Sequence, residues 1–431
     1  MSSDTIYALA TPPGKSGVAV IRLSGPQALR ALQSLSGLAE VTPRHAHYVT
    51  FSDGEPIDRG LALYFQAPHS FTGEEIVECQ LHGGMAVIRQ MLAALGRMGL
   101  RPAEAGEFTR RAFLNGKMDL LETEGLADLI DAQTPQQQRQ ALRQMQGDLS
   151  GAYETLRTGI IECLALLEAY IDFPDEEIPE SVLDALRASI MRLQGHIAAM
   201  LDDGRRGERL RDGLNVVILG APNAGKSSLL NAIARREAAI VSHTPGTTRD
   251  LIEIHAELAG YPVVFVDTAG LRDGADAIEA EGIRRALQRA ESAYLKLVLF
   301  DGTAEPDAAS LALLDADAMA VMTKADRAPH RQDMPAISTK TGQGVEQLLG
   351  LIESRIVAYY CGHEAPVITR ERHRAHLAEA LKSLEKSMDR PELELACEEL
   401  RQASLAVGKI TGKIQVDDVL DVIFSRFCIG K

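Results

Sequence analysis

The sequence predicts a multidomain protein in which an α/β nucleotide-binding unit interrupts an all-α domain, behind an α+β N-terminal domain. Three observations carry this. Residues 1–118 mix short apolar runs such as "GVAVIRLSG" and "EEIVECQLHGG" with glycine and proline punctuation. From 119 to 211 apolar residues recur at three- and four-residue intervals, and the same texture returns over 359–431. Between them, over 212–358, short apolar strands alternate with helical stretches, the signature of a parallel, doubly wound sheet. A compact unit with adjacent termini, spliced into a loop of a helical domain, explains the order helical, α/β, helical.

The elements follow from local pattern. Val18, Ala19, Val20 and Ile21 read as a buried strand, and 85–99 as a helix stopped by Gly99, with its methionines in the core. The helical block holds "LLETEGLADLIDAQTPQQQRQALRQMQGDLSGAYETLRTGIIECLALLEAYIDF", then the acidic break "FPDEEIPE", then a helix over 181–203. Five strands are expected in the α/β unit, at 214–220, 261–270, 295–302, 318–326 and 334–338.

Composition excludes several classes. No apolar run approaches the roughly 18–20 residues needed to cross a bilayer, and no signal peptide is legible, so a cytoplasmic protein is expected. The net charge of −15 argues against coating nucleic acid by bulk electrostatics; "RRGERLRDG" and "EFTRRAFLNGK" are candidates for a local basic face, with a solvated helix end the preferred reading of each. Cysteines at 79, 163, 361, 397 and 428 form no CxxC and read as reduced thiols. Histidine spacings such as His373-x-x-His376 lack a second ligand pair for a transition metal.

"GAPNAGKS", residues 220–227, fits a phosphate-binding loop and sits between the strand "LNVVIL" and the helix "SLLNAIARR". Gly220 and Gly225 permit the turn, and backbone N–H groups from Asn223 through Ser228, with Ala224 between, can surround phosphate oxygens. Lys226 can reach the β- and γ-phosphates, and the Ser227 hydroxyl can bind Mg²⁺. After "VVFV" comes "DTAG", in which Asp267 can hold Mg²⁺ through water, and Thr268, Ala269 and Gly270 line the γ-phosphate. In "TKAD", Asp326 can accept from the ring and exocyclic N–H groups of guanine together, a donor pair that adenine lacks, and Lys324 can lie along the base. Ser338, Thr339 and Lys340 in "STKTG" can close the pocket. The set selects GTP over ATP. Thr323 stands where such loops usually carry asparagine, which keeps a hydroxyl but predicts weaker bracing.

Leu271 follows Gly270 where a Ras-type GTPase has the glutamine that orients water, and leucine cannot do that work. The switch segment "SHTPGTTRD" supplies Ser242, His243, Thr244, Pro245, Gly246, Thr247 and Thr248, with Thr248 a second Mg²⁺ ligand. Asn223 either braces its loop or, with switch carbonyls, holds a monovalent cation such as K⁺ that offsets developing charge. Asp273, Asp276, Glu279 and Glu281 are carboxylates within reach of a water-orienting role, and the residues alone do not choose among them.

"DTIYALATPPGKSGVAVIRLSG", "SFTGEEIVECQLHGG", "AGEFTRRAFLNGKMDL", "PGTTRD", "DTAGLR" and the terminal "FCIGK" resemble the MnmE (TrmE) family of tRNA-modification GTPases along essentially the whole length. The Era- and EngA-like ribosome-assembly GTPases, the alternative class, share the nucleotide motifs but not these. The resemblance implies that Asn223 ligates K⁺ with carbonyls of Ser242, Thr244 and Thr247. It implies that G domains dimerise across their nucleotides and that Glu279 orients water, with Lys226 on the phosphates. It further implies a folate-binding N-terminal domain that dimerises. There Arg22, Glu78, Lys117 and Lys431 would contact 5-formyltetrahydrofolate or a related one-carbon folate. Cys428 would be required for modification. The implied homodimer would join the flavoprotein MnmG in a heterotetramer that alters position 5 of the wobble uridine in certain tRNAs.

Overall fold

A computed structural model describes residues 4–172, 180–236, 239–240, 253–267, 293–327, 334–362, 368–390, 392–413, 423–424, 427 and 430. Contacts divide the chain into two compact units. One comprises Met1–Ala127, Gln144–Ile178 and Lys386–Lys431, the other Asp128–Arg143 and Pro179–Glu385.

In the first unit, β1 (Ile6–Leu9), β2 (Ser16–Ser24), β3 (His47–Asp53), β4 (Glu55–Phe65), β5 (Ile76–Gly83) and β6 (Arg101–Pro102) form one sheet in the order β3-β4-β5-β2-β1-β6. All pairs are antiparallel except β1 with β6. Helices α1 (Ala28–Ser36) and α2 (Met85–Arg97) contribute Leu32, Leu35, Met91 and Leu95 to a core shared with Ile21, Leu23, Phe51 and Cys79. The period-2 alternation of a strand with one face on the α1–α2 core, and the other covered where Phe108 packs on Ile6 and Ala8, corrects the expected buried strand. Ala19 and Ile21 are buried, but Val18 is 55% exposed and Val20 half-buried, because they point to the other face with Arg22.

Helix α3 (Glu107–Leu114) carries Arg111, whose buried guanidinium meets Glu74 (3.1 Å), Asp4 (2.8 Å) and Glu107 (3.0 Å). Burial alone would raise the Glu107 pKa, but hydrogen bonds from Arg101, the Glu104 N–H and Arg111 hold it below the usual carboxylate value. Removing one partner from a buried ionic network of this kind typically costs about 3–5 kcal/mol. The network ties loop 66–75 to α3, and Thr72 and Glu74 also bind Ser24 at 2.7 and 2.8 Å. Helices α4 (Leu120–Asp131) and α5 (Pro135–Met145) follow α3 in sequence, and α6 (Asp148–Asp172) lies along the helix Leu393–Thr411, bridged by Arg401–Glu168 (2.8 Å). Phe424 and Phe427 close a small core with Leu120 and Phe113.

The second unit holds α7 (Glu180–Leu201), α8 (Arg206–Asp212), α9 (Lys226–Ala234) and a six-stranded sheet. Its strands are β7 (Leu214–Gly220), β8 (Ala239–Ile240), β9 (Glu253–Leu258), β10 (Tyr261–Asp267), β11 (Leu295–Asp301) and β12 (Ala318–Thr323). They stand in the order β12-β11-β7-β10-β9-β8. β12, β11, β7 and β10 are parallel, and apolar residues cover both faces. Val216, Ile218, Phe265 and Leu297 face α9 and the helix Val345–Tyr360, while Val217, Val264, Val266 and Val298 fill the opposite side. Such double burial is why these strands read as continuous apolar runs.

The sheet is mixed rather than purely parallel. β9 pairs antiparallel with β10, and β8 with β9. Leu258 and Tyr261 pair across Ala259 and Gly260, both at positive φ (51° and 84°), the two-residue hairpin that only antiparallel strands can use. The strand expected at 334–338 is a single bridge between Met322 and Ala336, since Pro335 has no N–H to donate. Among the described residues no helix is long and apolar enough to cross a membrane.

Candidate nucleotide-binding site

The carboxyl ends of β7, β10, β11 and β12 open on one edge of the second unit's sheet, where ligands of parallel α/β sheets bind. β7 runs into Gly220 at φ 138°, and a Cβ there would collide with the Leu299 carbonyl oxygen on the neighbouring strand. Gly225 at φ 96° turns the chain into α9. Asn223, in the left-handed region at φ 64°, is exposed at the rim of the loop, and Ala224 beside it is buried. The Lys226 Nζ donates to the carbonyls of Gly220 (2.8 Å) and Ala221 (2.9 Å), which places its ammonium at the mouth of the loop. Ser227, next in α9, donates its hydroxyl to Asp267 Oδ2 at 2.7 Å, and Asp267 is fully buried at the end of β10. Ser228 follows, exposed.

Thr323, at the end of β12, is buried, and its hydroxyl lies 2.8 Å from the Ala224 carbonyl and 3.1 Å from that of Phe300. The hydroxyl that threonine keeps reaches the phosphate loop because β12 ends close to it. Lys324 pairs with Asp301 at the end of β11. Asp326 accepts from Ser338 Oγ at 2.8 Å, and that bond is the main reason its pKa lies below the usual aspartate value. The Ala325 N–H donates to Ile337 O at 3.0 Å, so the "TKAD" and "STKTG" segments are joined by backbone as well. Thr339 is half-buried and Lys340 exposed beside them. Sequence reasoning missed Asp301 and Thr303, because "DG" after a strand reads only as a turn. Their signal is positional, since β11 sits between β7 and β12.

In the first unit, Arg22 on β2 and Glu78 on β5 are directly paired in register, with Nε and Nη2 both on Glu78 Oε1 at 2.9 and 2.8 Å. The Arg22 guanidinium also lies 5.6 Å from the Phe71 ring and 5.8 Å from the Phe108 ring. Lys117 donates to the Pro68 carbonyl at 3.1 Å, and its stem lies alongside Gly73. Arg22 and Lys117 thus both border loop 66–75. Ser242, His243, Thr244, Pro245, Gly246, Thr247, Thr248, Thr268, Ala269, Gly270, Glu279, Cys428 and Lys431 lie outside the described residues.

The Thr323 strap has a measurable consequence. Thr323→Val keeps the shape but removes the one hydroxyl proton that the Ala224 and Phe300 carbonyls share, and an unmet buried hydrogen bond costs about 1–3 kcal/mol. Guanine nucleotide affinity, titrated with a fluorescent GDP, is expected to fall about tenfold, and Thr323→Asn is expected to retain most of it. Undiminished affinity in Thr323→Val contradicts the strap.

Comparison with known proteins agrees with this layout. The family model for the GTP-binding protein TrmE N-terminus matches residues 5–117, and the MnmE helical domain model matches 120–428. The tRNA modification GTPase MnmE of Parvibaculum lavamentivorans is 52% identical over 437 residues, covering 99% of this chain and 100% of that protein. That of Paramagnetospirillum magneticum is 49% identical over 440 residues, covering 100% of both. The solved G domain of the T. maritima FeoB iron transporter is 27% identical over 34% of this chain and 98% of that one, with a TM-score of 0.26 that carries no weight. Two adjoining family models and half-identical relatives along the full length leave one conclusion: the chain belongs to the MnmE family of tRNA modification GTPases.

Proposed function

We propose that this GTPase is stimulated by K⁺ and acts with the flavoprotein MnmG to add an aminomethyl or carboxymethylaminomethyl group at position 5 of the wobble uridine of certain tRNAs. The observation that carries the reading is the convergence of Lys226, Ser227, Asp267, Thr323 and Asp326 on one sheet edge, in a chain whose relatives bear that name. The domain scheme proposed with it is a folate-binding and dimerisation domain at 1–118, a helical domain at 119–211 and 359–431, and a G domain at 212–358. The setting proposed is cytoplasmic.

The residues fit the ions. A hydroxyl and a carboxylate 2.7 Å apart, Ser227 and Asp267, are hard oxygen donors of the kind Mg²⁺ takes, with Thr248 proposed as a further ligand. The exposed Asn223 amide suits a K⁺ ligand completed by Ser242, Thr244 and Thr247. Such a cation would offset charge that develops on the transferred phosphoryl group. Lys226 would hold the β- and γ-phosphates, and Glu279 would orient the attacking water that Leu271 cannot. Dimerised G domains would bring the Asn223 loop and its nucleotide out of water. The Arg22–Glu78 pair suits a folate, since a pterin offers an amidine edge to a carboxylate and the glutamyl tail wants the cations of Lys117 and Lys431. Cys428 is assigned to modification rather than to hydrolysis.

Two measurements test the reading. Mass analysis of tRNA nucleosides from a deletion strain is expected to show loss of the 5-substituted wobble uridines, and an unchanged profile removes the modification role. On the purified protein, GTP hydrolysis should run at least tenfold faster in K⁺ than in Na⁺, a lowering of the barrier by about 1.4 kcal/mol. Asn223→Ala should erase that preference, and Glu279→Ala should bind nucleotide but not turn it over. An Asn223→Ala variant that still prefers K⁺ contradicts the ligand assignment.

A further inference from the structure

The guanine loop has an unusual backbone. Lys324 occupies the left-handed region at φ 56°, a conformation that strains an L-residue and persists where surrounding structure imposes it. The surroundings here are the turn that leaves β11. The Gly302 N–H donates to the Thr323 carbonyl at 3.0 Å, one residue before the lysine. Asp301 Oδ1 accepts from the Thr303 N–H (3.0 Å) and hydroxyl (2.7 Å), which fixes the carboxylate, and its Oδ2 accepts from the Lys324 Nζ. Partial burial would raise the Asp301 pKa, but the bonds from Lys324 and Thr303 outweigh it and bring the value to about 2, so the carboxylate is ionised at neutral pH.

We infer that Asp301 is a positioning residue for the guanine base, which holds the Lys324 side chain extended so that its methylenes form a platform for the purine. A free lysine stem carries substantial rotamer entropy, and anchoring the ammonium at its far end removes most of that freedom before the nucleotide arrives. The anchor has a second effect. It keeps the ammonium on Asp301 and away from Asp326, two residues on, whose carboxylate accepts from Ser338 and is the group that reads the guanine N–H edge. Asp301 therefore acts through its neighbour and touches no reacting atom.

The inference rests on the assignment of Lys324 and Asp326 to the guanine pocket. The test titrates a fluorescent GDP into the full-length chain. Asp301→Asn is expected to weaken binding about tenfold, the loss of one charge-assisted bond at a partly exposed site, with the matching change in GTP hydrolysis falling on KM rather than on kcat. In a Lys324→Ala background the same substitution should change nothing further, because the partner is already gone. Unaltered affinity in Asp301→Asn overturns the inference. So does an equal loss in both backgrounds, which confines Asp301 to supporting the turn. Asp326→Asn, assayed with xanthosine diphosphate, tests the pocket itself: if preference moves to xanthine while the Asp301 arms fail, only the present inference falls, and if it does not move, the pocket assignment falls.

Discussion

Parallel pairing of four strands is the constraint from which the nucleotide site follows. Because β12, β11, β7 and β10 run the same way, their carboxyl ends emerge on a single edge, where the described loops that follow β7, β11 and β12 gather. The phosphate loop leaves β7, the buried carboxylate of Asp267 ends β10, Asp301 ends β11 and Thr323 ends β12. None of these groups is adjacent in sequence, yet hydrogen bonds of 2.7–3.1 Å link Ser227 to Asp267, Thr323 to Ala224 and Phe300, and Asp326 to Ser338. The sheet supplies rigidity through cores on both faces, so the loops need only local bonds to hold their shape.

The same economy holds in the N-terminal sheet with a different device. There one face is covered by α1 and α2, and Arg22 and Glu78 stand on the other face as a cross-strand pair. The loop that borders them is secured from beneath by Arg111 and its three carboxylate partners. Charge buried in this way specifies one arrangement at the expense of desolvation, which suits a loop that has to present Phe71 against a guanidinium.

Much of this was legible in the sequence, and the exceptions have physical causes. The glycines of "GAPNAGKS" are forced by positive φ and by a close approach to the Leu299 carbonyl, so their spacing, set between a strand and a helix pattern, located the phosphate loop. Central strands were found because double burial makes them uniformly apolar. "EIHAEL" was not, since an edge strand with one wet face has a weaker pattern, and its hairpin partner begins after an alanine–glycine turn that lacks the usual asparagine or aspartate. The burial of Val18 was misjudged because four consecutive apolar residues hide a period of two. Asp301 was invisible for a different reason: its role comes from the strand beside it, and sequence order does not reveal that β11 lies between the phosphate and guanine loops.

The most direct test of four loops serving one ligand is hydrogen exchange of the full-length protein with and without GDP and Mg²⁺. Backbone protection should rise together in peptides covering 220–228, 301–303, 323–326 and 338–340, and fall back together when the nucleotide is removed. Protection confined to the phosphate loop, with the other three segments unchanged, would contradict a shared site.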